Sequence, residues 1–140
     1  MLKFKEKFKS FACIGDTIRL PLSQCVDLVA TIEHDEDSSP RDYDCYSDHE
    51  ISRWDNQEWG YCGIVLTAEI NYLAASTASI DITSIWSVEL NIGDDNDHAT
   101  ECANDLLNDT DINLLLEAIA ESLNDAAKSC PSFQLSNTGE

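Results

Sequence analysis

Residues 61–70, YCGIVLTAEI, and 79–90, SIDITSIWSVEL, decide the fold. Both are rich in β-branched residues, whose stiff side chains suit a pleated surface. The eight residues between them, 71–78, are too many for a tight two-residue turn. They predict an antiparallel hairpin with a looser loop. Upstream, 26–33 (VDLVATIE) places Val26, Leu28, Ala30 and Ile32 on one side, the alternation of a half-buried strand. Residues 17–20 form a short strand, preceded by the Gly15-Asp16 turn and ended by Pro21.

The flanking segments carry helical signals. Ser47-Asp48-His49-Glu50 fits a capping box, so a short helix runs to about Asn56 with Ile51 and Trp54 inward. Residues 99–108 form another short helix. A longer one, capped by Asp109 or Thr110, runs to about Lys128 with Ile112, Leu115, Leu116, Ile119 and Leu123 on one face. Lys128 suits the negative end of the helix dipole, and Pro131 closes the helix. Residues 2–11 fit either period: Phe4, Phe8 and Phe11 make a helical face, Leu2, Phe4 and Phe8 a strand face. The expected architecture is α+β, an antiparallel sheet of about four strands with C-terminal helices packed on one face. One domain is expected over 1–131, with a frayed tail at 132–140.

Charge sets this chain apart. It nets -19 over 140 residues, with a pI near 4.1. From Trp54 to Ala127 there is no Lys or Arg, against fifteen carboxylates. Residues 3–9 hold four lysines and Glu6, a net +3, which leaves -22 on the remainder. Such a surface repels nucleic acid and anionic membranes, and its natural partner is a basic surface. The 43% apolar content and eleven aromatic residues separate it from acidic disordered chains. No run reaches the roughly 18 apolar residues of a membrane span, and the N-terminus lacks the apolar core of a signal peptide. A cytoplasmic protein is expected, its six cysteines thiols without a C-x-x-C pair.

The acids follow a helical pattern. Glu101, Asp105 and Asp109 stand at i, i+4 and i+8, as do Glu117, Glu121 and Asp125. On a helix each step is about 6 Å along the axis, a spacing comparable with that of phosphates on a nucleic-acid strand. Asp94, Asp95 and Asp97 extend the first row, and Asp35, Glu36, Asp37, Asp42 and Asp44 form a second patch. A solvated outer face would look similar, as would the surface of a salt-adapted protein. Trp54 and Trp59 flank an acidic segment, as core residues or as interface anchors.

Other chemistry is thinner. Cys45-x-x-x-His49 and His98-x-x-x-Cys102 together offer a tetrahedral zinc set in principle, though the two halves lie far apart. Asp94-Asp95-Asn96-Asp97 lacks the central Gly and distant Glu of an EF-hand. There is no phosphate-binding Gly loop, no G-x-S-x-G and no His-Glu-x-x-His. No enzyme activity and no cofactor are expected.

The stretch TIEHDED (31–37), DYDCYS (42–47) and ISRWDNQEWGYCGIVLTAEI (51–70) resembles small acidic proteins of bacteriophages, prophages and plasmids. The resemblance spans about 29–70 and rests on D-x-D-C-Y-S, Ile51, Trp54, Glu58-Trp59 and the Gly63-Ile64-Val65 strand. It implies a mobile-element origin and carries over no functional residue. Mobile elements often encode acidic DNA mimics that inhibit CRISPR effectors and restriction enzymes. By that class analogy the chain is expected to be an anti-CRISPR or anti-restriction inhibitor. It would bind the basic nucleic-acid channel of a host defence nuclease in the host cytoplasm and would not touch nucleic acid itself. Two alternatives are an adaptor module using the sheet with Trp54 and Trp59, and a zinc protein using Cys45, His49, His98 and Cys102. Monomer and homodimer both stay open.

Overall fold

The computed structural model describes residues 2–71, 77–111, 114, 115, 117, 119 and 121. Four strands, β1 (Thr17–Pro21), β2 (Val26–His34), β3 (Gly60–Asn71) and β4 (Thr77–Leu90), form one antiparallel sheet in the order β1-β2-β3-β4. The fold is α+β, as the hairpin stretches predict. In β3, Cys62, Ile64, Leu66, Ala68 and Ile70 are buried on one face. Across from them in β2, Ile32 pairs with Ile64, Ala30 with Leu66 and Leu28 with Ala68. Complete burial of each Leu or Ile contributes about 1.5–3 kcal/mol, so this ladder is the main source of stability.

Helix α2 (Asp97–Asp109) covers that face with Ala99, Cys102, Ala103, Leu106 and Leu107. Leu115 and Ile119, helical residues further on, join the same core. Asp111 caps this last helix by accepting the Leu114 N–H at 3.2 Å. The expected cap at Asp109 or Thr110 is displaced, because Asp109 ends α2 and Thr110 returns its hydroxyl to the Leu106 carbonyl. Ile112, Leu116, Leu123, Asp125 and the 132–140 tail lie outside the described residues.

Residues 2–11 are neither helix nor strand. They form a strap tied to α2 by side chains. Phe4 N–H donates to Asn104 Oδ1 (2.8 Å), Phe8 N–H to Thr100 Oγ1 (3.0 Å), and Asn96 Nδ2 to the Lys9 carbonyl (2.9 Å). Asn96, Thr100 and Asn104 are one helical turn apart. The buried positions Phe4, Phe8 and Ala12 therefore repeat every four residues without any helix of their own. Lys7 and Lys9 reach Asp97 (3.9 Å) and Asp16 (3.5 Å).

The opposite sheet face carries a smaller aromatic group. Alternation along β3 points Tyr61, Gly63 and Val65 there. Trp59 packs against Tyr61 and Tyr46 and donates Nε1–H to the Glu50 carbonyl at 2.8 Å. That bond fastens α1 (Asp48–Asp55), whose Ser47–Glu50 capping box forms as expected. Ile51 and Trp54 are only half-buried, and no residue of α1 is fully buried. The helix ends with Gln57 N–H bonded to Trp54 O and Glu58 N–H to Arg53 O. This is a Schellman cap, with Gln57 at φ 62 where glycine is usual.

β4 is irregular where it passes Gly63. Cys62 pairs with Val88 and Ile64 with Ile85, so Trp86 and Ser87 together oppose Gly63. The extra residue makes a bulge, with Ser87 at φ 61. The Trp86 indole lies on the bare Gly63 backbone, where any Cβ would overlap the ring.

Two stability outcomes follow from these contacts. Asn96→Ala strips the strap and the end of β4 of four part-buried bonds and leaves a gap where a buried side chain stood. It should cost about 2–4 kcal/mol in urea unfolding and expose residues 2–12 to protease. Gly63→Ala should cost about 1–3 kcal/mol by overpacking, and most of that loss should vanish in a Trp86→Ala background.

Candidate functional site

The first acidic group lies on one edge of α2 and the loop before it. Asp94, Asp95, Asp97, Glu101, Asp105 and Asp109 are all exposed. Asp95 is partly used locally, accepting the Asp97 N–H at 3.0 Å. Asp97 opens α2, where a carboxylate suits the dipole, and it faces Lys7. Glu101, Asp105 and Asp109 form the expected row. Among the described residues none of the three has a hydrogen bond or an ion pair. Their effect reaches inward. Burial pushes the Cys102 thiol up, and the Asp105 and Glu101 charges push it further.

The second group is less available than its composition suggests. Asp35 is half-buried and holds a loop together. Its carboxylate accepts N–H bonds from Ser87 (2.8 Å) and Asp37 (2.9 Å) and the Ser38 hydroxyl (3.1 Å). The bulge frees the Ser87 N–H from the ladder, and Asp35 receives it. Burial pushes the Asp35 carboxyl up, but these donors outweigh it and hold the group below its ordinary value. Asp35 is therefore a structural carboxylate, not a free contact. Glu36 is exposed, 3.7 Å from the His34 ring. Asp37, Asp42 and Asp44 are exposed, the last two around the 3-10 turn at Pro40–Asp42.

Two open grooves flank the 34–38 loop. One, of about 710 Å3, brings Asp35, Glu36, Trp54 and Trp59 together with Phe11, Ile14, Asp55 and Glu58. The other, of about 530 Å3, sets residues 34–38 against Trp86 and Ser87. Phe11, Ile14 and Trp86 are exposed by 68, 50 and 48%. Trp59 is buried and serves the fold, so it is no exposed anchor. Trp54 is half-buried at the groove, 6.0 Å from the Arg41 guanidinium carbon. Arg41 also forks onto Asp55 with bonds of 2.9 and 2.6 Å. Sequence reasoning missed Phe11, Ile14 and Trp86 here. Their only signal is the bulky apolar type, which reads equally well as core.

The four zinc candidates do not assemble. His98 Nε2 lies 3.7 Å from Cys102 Sγ on α2, while Cys45 and His49 belong to the aromatic side of the sheet. Among the described residues no three His, Cys, Asp or Glu side chains gather as a metal site. The cysteines at 13, 25, 45, 62 and 102 are free thiols, and burial pushes Cys62 up to about 12. Tyr46 hydrogen-bonds Glu89 through its hydroxyl; burial first, and that carboxylate second, push the phenol far up. No described helix is long and apolar enough to cross a membrane.

Asp35 gives the site a pH signature. Its folded value is depressed below the unfolded value of about 3.9, so its contribution is present above the unfolded value and is lost as pH falls from there through the folded value. Asp35→Asn should lower stability by about 1–2 kcal/mol at pH 7. The gap to the parent chain should narrow as pH falls below about 4, read from urea midpoints across a pH series.

No family model, curated protein or solved structure matches this chain.

Proposed function

We propose that this protein is a non-enzymatic inhibitor of mobile-element origin that occupies the nucleic-acid-binding surface of a basic host protein. A defence nuclease, whether a CRISPR effector or a restriction enzyme, is the kind of partner that fits. The observation that carries the reading is the row of Glu101, Asp105 and Asp109. It is exposed on one rigid helix and unneutralised among the described residues, in a chain of net charge -19. All three arginines are turned to internal pairs, with Asp27 and Glu69, with Asp55 and with Glu58. Like charges at i, i+4 cost a few tenths of a kcal/mol per pair, a cost that a charge-recognising role explains. The resemblance of 29–70 to phage and plasmid proteins supports the origin.

A basic channel that binds nucleic acid through phosphates would bind such a row through the same Lys and Arg side chains. Capture of partners from a host lysate at 50 and 200 mM salt should recover basic nucleic-acid-binding proteins at the lower salt, with affinity falling tenfold or more between the two. The variant Glu101→Gln/Asp105→Asn/Asp109→Asn should bind the captured partner at least tenfold more weakly and flatten the salt dependence. Its folding stability should hold or rise, because repulsion is relieved. Unchanged affinity in that variant sinks the proposal.

A further inference from the structure

The groove beside the 34–38 loop has features that the charge row does not account for. It joins apolar side chains from separate parts of the chain, exposed Phe11 at the end of the strap, exposed Ile14 in the turn after it and half-buried Trp54 from α1. Exposed apolar groups gathered in this way mark interaction surfaces. Phe11 and Ile14 are held firmly. Ala12 N–H donates to Asn91 Oδ1 at 2.9 Å, Cys13 N–H to Asp16 Oδ2 at 2.9 Å, and Gly15 N–H to the Ile32 carbonyl at 2.7 Å. A side chain presented from an anchored turn loses little freedom on binding. Among the described residues, the three non-glycine positions with left-handed backbone are Gln57, Ser87 and Asn91, and all three line this groove or its neighbour. Such backbone concentrates at binding clefts.

Charge selects the occupant. Among the described residues no Lys or Arg lines either groove, whereas Asp35, Glu36, Asp37, Asp55 and Glu58 do. Arg41 and Arg53 counter Asp55 and Glu58, which leaves Glu36 at this groove, and Asp37 at its neighbour, as exposed carboxylates without an arginine partner. A second copy of the chain fits poorly. It brings another -19, and its one basic run, 3–9, is already tied down along α2. We infer that this groove receives a segment of the partner that carries Arg or Lys beside a bulky apolar side chain. The apolar group packs on Phe11, Ile14 and Trp54, and the cation faces Glu36 and the negative field of the chain. The inference rests on the proposed inhibitor reading only for the sign of the partner's charge.

Two synthetic twelve-residue peptides of equal positive charge test it on the full chain. One carries Leu and Phe among its Arg and Lys residues, and the other has Ser in their place. The apolar peptide should bind at least tenfold tighter by calorimetry and shift the amide resonances of Ile14, Trp54 and Gln57. Phe11→Ser/Ile14→Ser, changed at exposed positions, should remove that advantage. Glu101→Gln/Asp105→Asn/Asp109→Asn should weaken both peptides alike and leave the advantage intact. Equal affinity of the two peptides for the parent chain, or shifts confined to α2, overturns the groove. Loss of the charge-row effect on the captured partner, with peptide selectivity retained, overturns the inhibitor reading instead.

Discussion

One buried amide holds three parts of this molecule in register. Asn96 is the buried polar residue of the described core, exposed by 3%. Its Oδ1 accepts the Asn91 N–H, and its Nδ2 donates to Asn91 Oδ1 and to the Lys9 and Ser10 carbonyls. Asn91 in turn exchanges two bonds with the backbone of Ala12. The end of β4, the start of α2 and the strap are thereby one network. Asn is a favoured residue at a helix N-cap, yet Asn96 makes no side-chain cap, because its amide serves the strap. The two Nδ2 hydrogens serve three acceptors, so one is shared, and because the Asn96 side chain is buried these bonds determine the geometry strongly. The direction of the α2 row and the placing of Phe11 both depend on it.

The scarcity of cations organises the rest. Eight Lys and Arg face 27 carboxylates, so most acids have no basic partner to meet. The two longest strands largely avoid the problem: β3 carries only Glu69, and β4 only Asp81 and Glu89. Glu69 takes a two-pronged bond from Arg19, which holds its carboxyl below the ordinary value. On α2 the division is by face. Ala99, Ala103, Leu106 and Leu107 supply apolar burial, and the side bearing Glu101, Asp105 and Asp109 bears the repulsion. The same helix thus carries the stabilising contact and the charged surface, and burial of its inner face outweighs the few tenths per like-charge pair by an order of magnitude.

What could be read from residues alone follows the range of each interaction. The strands and the Ser47–Glu50 capping box were legible because their signals are local, two to three residues in period. The α2 row was legible because 3.6 residues per turn fixes which side chains share a face. The strap was not. Its period of four comes from Asn96, Thr100 and Asn104, which lie 87 to 100 residues away in sequence. Trp86 reads as a buried strand residue until its partner across the sheet is known to be Gly63. Asp35 counts as one acid among many until the bulge opposite offers it the Ser87 N–H. Each depends on a register that no short window contains.

The two surfaces differ in the range over which they act, and that difference bears on specificity. Exposed carboxylates act over about 8 Å at physiological ionic strength and favour any basic body. Charge of this kind speeds encounter more than it discriminates between partners. A chain with rows of acids alone would adhere to ribosomal, histone-like and nuclease surfaces without much distinction. Discrimination needs contacts that work only on touching, where a wrong partner leaves apolar surface wet or a charge stranded. Phe11, Ile14 and Trp54 are of that kind. They sit on the strap, the turn after it and α1, whereas the row sits on α2, and the Asn91–Asn96 network joins strap to helix. On the proposed reading, a partner drawn in by the α2 carboxylates meets the groove at a fixed offset. Selection then rests on whether its basic surface carries an apolar side chain at that distance.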